Sequence, residues 1–239
     1  MYKALAYKEW IKIRWWAVGS LIFELLFLIY IFTNLRAIIE YNSAEMIWSS
    51  IVYKSYMFFQ SLKYVPFVIG IFISVAQYLP EVLDMKLKLT MHLPLEENRV
   101  LLFLNLFGTT TLLILFIPLV AVLVIGSSIV FPSEITYAMI ITIIPWFLSG
   151  FLAYFFVSAI MIEPTWSRRL VIAIIGYFLI NEFLVDVILG GFIKIIVVLI
   201  VFTLLYNYAH MLSGLRFKRG SKWYFRLNYH DIYLLLLQL

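Results

Sequence analysis

The sequence predicts an all-α integral membrane protein with six transmembrane helices and both termini in the cytoplasm, and three observations carry that prediction. Hydrophobic residues fill 64% of the 239 positions and charged residues only 13%, where a soluble domain carries about 25%; the mean hydropathy is +1.01. The apolar residues gather into six long runs. The basic residues fall mostly on one side of the topology those runs define. The length allows one membrane domain over residues 1–239 and leaves no room for a separate soluble one. With no cysteine, disulfides, thiolate metal sites and cysteine nucleophiles are excluded.

A bilayer core of about 30 Å takes roughly 20 apolar residues per helix. That places the spans near 17–33, 64–79, 101–126, 137–162, 170–189 and 192–211. The first does not read as a signal peptide, because sixteen residues with Trp10, Trp15 and Trp16 precede it and no small-residue cleavage site follows. Residues 1–16 read as an interfacial helix that lies along the inner surface before the chain turns upward. There Lys8 and Lys12 recur on one side, and Leu5, Trp10, Ile13 and Trp16 can face lipid. With both termini inside, fourteen basic residues lie on the cytoplasmic side and four (Arg36, Lys54, Lys63 and Lys194) on the outer side. That is the asymmetry of the positive-inside rule.

The outer segment from 34 to 63 mixes polar residues with Tyr41, Trp48, Tyr53, Tyr56, Phe58 and Phe59. It reads as a helix that extends the second span or lies at the outer interface. Pro66, Pro118 and Pro145 fall inside spans two, three and four, where each frees a backbone carbonyl and permits a kink or hinge.

Residues 81–99, EVLDMKLKLTMHLPLEENR, form the one long charged interruption between spans. Val82, Met85 and Leu89 make an apolar stripe at helical spacing. Glu81 and Asp84 come early and Lys86 and Lys88 late, which matches the helix dipole. Pro94 stops the helix, and Glu96 and Glu97 open the next span. Such a helix can lie on lipid or dock a protein. A lipid-lying helix is usually strongly basic, whereas this loop holds four acids against three bases, which favours docking.

At this point the chain resembles the ABC-2 type permeases, the membrane subunits of a large group of ABC exporters. Lys8–Glu9–Trp10 in the interfacial helix, the six spans, and EVLDMKLKLTMHLPLEENRVL over 81–101 carry the resemblance. The last element looks like the family's loop between spans two and three, with an acidic residue, then basic positions and a Leu-Pro. The resemblance implies that residues 81–93 are a coupling helix seated in a groove of a separate P-loop ATPase subunit. Its docking residues are then Glu81, Asp84, Met85, Lys88 and Leu89. A second permease subunit, the same chain or a homologous one, is also implied. The family usually carries a re-entrant hairpin outside, between spans five and six. Only a few residues around Gly190 and Gly191 are available for it here.

A P-loop needs GxxxxGK[ST] after a strand. The nearest stretch, Gly214 to Gly220 followed by Ser221 and Lys222, has the wrong spacing and no strand before it. ATP and magnesium are therefore expected in the partner, with no cofactor and no catalytic residue in this chain. His92, His210 and His230 lack the paired spacing of a metal site, and Ser149–Gly150 lacks the GxSxG frame of a nucleophile elbow.

Ionisable residues inside membrane segments are costly and so are functional candidates. Glu24 in span one, and Asn181 and Glu182 in span five, are the candidates for a polar translocation path or an ion site. Asp186 shares a face with Glu182 but reaches the outer interface. The tail, 216–239, holds five bases in its first eleven residues and then turns apolar. Anionic membrane lipids explain that pattern without nucleic acid.

The expected function is the transmembrane subunit of an ATP-driven exporter in a cell inner (plasma) membrane, bacterial by this reading. The alternative is an ATP-independent secondary transporter that uses its intramembrane carboxylates, though no internal repeat supports inverted halves. Drug, peptide, lipid and haem-like cargo all stay open.

Overall fold

The computed structural model describes residues 2–41, 59–84 and 97–184 together with Leu87, Thr90 and Tyr206. Among these the protein is all-helical, without strands. The helices are α1 (Tyr2–Tyr41), α2 (Val65–Leu83, after a 3-10 turn over Gln60–Leu62), α3 (Glu97–Val130), α4 (Ser133–Ile162) and α5 (Trp166–Leu184). Among the described residues, four stretches are long and apolar enough to cross a membrane: Tyr2–Asn34, Gln60–Leu83, Asn98–Ile129 and Ile140–Ile162. Their outward positions, such as Leu26, Ile29, Ile114, Ile117 and Ile125, are bare apolar side chains. The protein is thus membrane-embedded.

α5 starts four residues ahead of the expected fifth span and carries Arg168, Arg169 and Glu182 within nineteen residues. The expected sixth span lies outside the described residues apart from Tyr206. Residues 42–58 and the basic tail also lie outside them.

The N-terminal segment differs from expectation. Residues 2–41 form one continuous helix with no turn between an interfacial piece and a span. Forty residues at 1.5 Å each extend about 60 Å, twice a bilayer core of about 30 Å, so the helix must project beyond the hydrocarbon. The cause is a single stripe: Leu5, Glu9, Ile13, Ala17, Ser20, Glu24, Leu28 and Ile31 are all buried, at successive spacings of three or four. That stripe packs against α2 and α3 along its length. Leu5 and Ile13, expected to face lipid, are on it and buried, whereas Trp10 and Trp16 are exposed as expected.

Pro66 also differs. It occupies the first turn of α2, where a missing N–H costs no hydrogen bond, so it makes no kink there. Pro118 and Pro145 do lie inside α3 and α4, and Pro80 lies inside α2 near its end.

α2 and α4 form the closest pair. A Cβ placed on Gly70 would lie 2.0 Å from the carbonyl oxygen of Gly150, and one on Gly150 would lie 2.6 Å from that of Pro66. Small residues at such a crossing let two backbones touch, which is how membrane helices gain packing without a hydrophobic drive. Around it Phe116 meets the edges of Phe147 and Phe151 with ring centroids 5.2 and 5.4 Å apart, and Trp146 is fully buried.

Candidate functional site at the basic end of the bundle

α1 and α2 run antiparallel, so the start of α1 meets the end of α2 at the end of the bundle that holds Lys8, Lys12 and Arg14. There Lys12 Nζ donates to Glu9 Oε1 at 2.6 Å and to Glu81 Oε1 at 2.8 Å. Lys8 Nζ lies 2.8 Å from the same Glu81 oxygen and donates to Thr90 Oγ1 at 2.8 Å. Glu9 and Glu81 are 0% and 1% exposed. Their second oxygens, Oε2 in each, have no hydrogen-bond partner among the described residues. Two ammonium groups and two carboxylates therefore close a neutral cluster that ties α1, α2 and Thr90 together. Removing Lys12 leaves the buried Glu9 carboxylate without its ion pair.

About one helical turn further into the bundle lies a layer of neutral polar groups. Tyr154 Oη donates to Gln77 Oε1 at 2.8 Å, and Gln77 Nε2 donates to the Leu104 carbonyl at 2.8 Å. Tyr78 Oη donates to Asn105 Oδ1 at 2.7 Å. Ser158 Oγ and Tyr206 Oη share a further hydrogen bond. All six side chains are buried. Gly108 makes the room, since a Cβ there would collide with Tyr154 Oη at 2.0 Å and Gln77 Oε1 at 2.5 Å. The layer thus joins α2, α3, α4 and Tyr206 by side-chain bonds whose polar atoms have no water alternative in hydrocarbon.

At the same end, the corner between α4 and α5 is built on Glu163, which is fully buried. Its Oε1 accepts from Thr165 Oγ1 at 2.8 Å, its carbonyl accepts from Arg169 Nε at 2.6 Å, and Arg168 Nη1 stands 3.8 Å from the carboxylate.

Among the described residues, those singled out in the sequence are spread over α1, α2 and α5. Glu81 lies inside the cluster, because α2 continues through it to Leu83 and turns it toward α1. Asp84 is exposed where α2 ends. Met85, Lys88 and Leu89 lie outside the described residues, while the neighbouring Leu87 and Thr90 are buried. Glu24 is 4% exposed on the inner stripe of α1, and its Oε1 has no hydrogen-bond partner among the described residues. Asn181 lines a cavity of about 420 Å³ between α2, α4 and α5, whose walls include Tyr64, Phe156 and Tyr177. Glu182 is exposed on α5, and Asp186 lies outside the described residues.

Sequence reasoning missed Glu9, Gln77, Asn105 and Glu163. For Gln77 and Asn105 a signal existed, as each is a polar amide inside an apolar run. The rule that flags Glu24 flags them too. Among the described residues no group of three metal-ligating side chains comes together. The arrangement ties the helices together mechanically. Compared with known proteins, the chain matches no family model, no curated protein and no solved structure.

Proposed function

We propose that this chain is the transmembrane permease subunit of an ATP-driven ABC exporter. It has six spans with both termini in the cytoplasm and moves substrate by alternating access while a separate ATPase subunit hydrolyses ATP. One observation carries the reading: Glu81, the first residue of the charged loop 81–99, is held at 2.8 Å by both Lys8 and Lys12 of α1. A push delivered to that loop is therefore transmitted to α1 and α2 at once, which supports a coupling role for it. The polar layer beneath spreads the same displacement to α3 and α4. Asp84, Met85, Lys88 and Leu89 meet the ATPase, while Glu81 anchors the loop from within. The working unit is a dimer of permease chains with two ATPase subunits, in a bacterial inner membrane.

The test is association. Replacing Asp84 and Met85 together with arginine is expected to abolish co-purification of a P-loop ATPase in mild detergent while membrane insertion stays normal. Normal co-purification by that variant removes the coupling role.

A second reading rests on Glu24. A buried carboxyl in a membrane span with an oxygen lacking a partner among the described residues suits an ion-coupled, ATP-independent transporter.

A further inference from the structure

Between α1 and α2, on the membrane side of the ion cluster, an apolar groove of about 480 Å³ opens on the lipid-facing surface. Its α1 wall runs from Trp15 to Phe23, about 12 Å of helix axis. Trp16 and Phe72 close its width, with rings stacked at 5.9 Å and 23°. The floor is open at Gly19, where an added Cβ would meet nothing within 4 Å. The volume falls in the range of about 300–1,000 Å³ of small-molecule sites. Trp15, Trp16, Phe23 and Phe72 are all exposed where acyl chains run.

Among the described residues, Arg14 stands beside Trp15 at one end of the groove. Arg14 is exposed, and its guanidinium carbon lies 5.5 Å from the centre of the Trp15 ring. Lys8 and Lys12 are occupied by Glu81 and Glu9. Arg14 has no carboxylate partner among the described residues. A guanidinium forks onto phosphate oxygens with two parallel hydrogen bonds, and stacking on Trp15 fixes its plane at the groove entrance. An aromatic trench open to lipid, beside a guanidinium that has no carboxylate partner among the described residues, is complementary to an anionic amphiphile.

We propose that this groove binds one anionic phospholipid, an acyl chain lying from Trp15 to Phe23 and the phosphate on Arg14. The site sits against the helix pair that the ion cluster joins, so an occupied groove braces α1 on α2. It is independent of the transport reading above, and its test needs no ATPase.

Native mass spectrometry of the full chain, released from vesicles of phosphatidylcholine and phosphatidylglycerol, counts the retained lipids. Wild type is expected to retain phosphatidylglycerol in excess. Gly19→Leu, which fills open space, is expected to lose the bound lipid. Arg14→Gln is expected to keep a lipid but lower the preference for phosphatidylglycerol about fivefold, the factor for one arginine at an anionic surface. Equal retention of the two lipids by wild type, or unchanged lipid content in both variants, overturns the proposal. If Gly19→Leu changes the oligomeric state and leaves the lipid count alone, the groove is an interface between copies of this chain and the proposal falls.

Discussion

Lys12 holds two buried carboxylates with one ammonium group, at 2.6 Å to Glu9 and 2.8 Å to Glu81, and its side chain is 13% exposed. Lys8, at 35%, shares only Glu81 and has the edge of the bundle beside it. The two lysines therefore differ in what their loss leaves behind. Lys12→Met leaves Glu9 without its ion pair, and breaking a buried pair costs about 3–5 kcal/mol. Lys8→Met leaves Glu81 still paired with Lys12, and because Lys8 itself is partly solvated the change is expected to cost less than Lys12→Met. Thermal unfolding in mild detergent measures both, and adding Glu9→Gln to Lys12→Met is expected to recover part of the loss. Equal effects of the two single changes would show that the cluster does not depend on Lys12 more than on Lys8. In sequence, Lys8 and Lys12 read as interfacial anchors because their spacing of four puts them on one side of a helix. Their partner Glu81 is 69 residues away from Lys12, and one sequence alone holds no trace of a contact across that distance. Glu24 was legible because a carboxylate in an apolar run is conspicuous. Glu9 was not, since an acid among lysines near a helix start looks solvated.

Helices obey the same division between what spacing shows and what packing decides. The bodies of the spans were legible from apolar run length, but their ends were not. α3 begins at Glu97 and α4 at Ser133, four residues ahead of the expected spans in each case, because polar first turns continue a helix once its apolar body is packed. The expected turn after residue 16 failed for a related reason: the Leu5–Ile31 stripe keeps one face inward past the bilayer boundary, and no proline interrupts it. Pro66 read as a hinge because the start of α2 was set at Tyr64 by hydropathy, one residue before the helix that places it in the first turn. What no periodicity displayed was which helices touch. Gly70 and Gly150 are ordinary glycines in sequence, yet they are where α2 and α4 meet backbone to backbone. Gly70→Val is expected to force the pair apart and destabilise the bundle by about 1–3 kcal/mol or more, the range for overpacking a close interior. Gly19→Leu, on open space, introduces no clash and is expected not to destabilise lipid-free protein in the same detergent melt. A Gly70→Val protein as stable as wild type would mean that the α2–α4 crossing yields without cost.

For the whole molecule, the polar ties between helices described above gather toward one end: the ion cluster, the Gln77–Tyr154 layer and Glu163 all lie where α1 begins and α2 and α4 end. Such a bundle is tied at one end and packed by aromatic and small residues elsewhere, so displacement imposed at the tied end moves several helices together. The sequence showed the polarity of the whole through its basic asymmetry, but it pointed to Glu182 as the intramembrane carboxylate of most interest. The structure leaves Glu182 exposed on α5 and puts Glu24 inside. The two energy sources for transport therefore separate best at Glu24. A carboxyl in hydrocarbon is costly unless it is neutral, paired or faces a polar cavity, and Glu24→Gln keeps its shape while removing its proton and charge. If an ion gradient drives transport, that change is expected to abolish the pH or cation dependence together with most of the activity, and Glu182→Gln is expected to do little. If ATP drives it, Glu24→Gln is expected to leave nucleotide-stimulated transport largely intact in vesicles containing the permease with its ATPase, and to alter substrate preference at most. We expect the second outcome. Gradient-powered transport by the purified chain alone in liposomes, lost in Glu24→Gln, would overturn the exporter reading in favour of ion coupling.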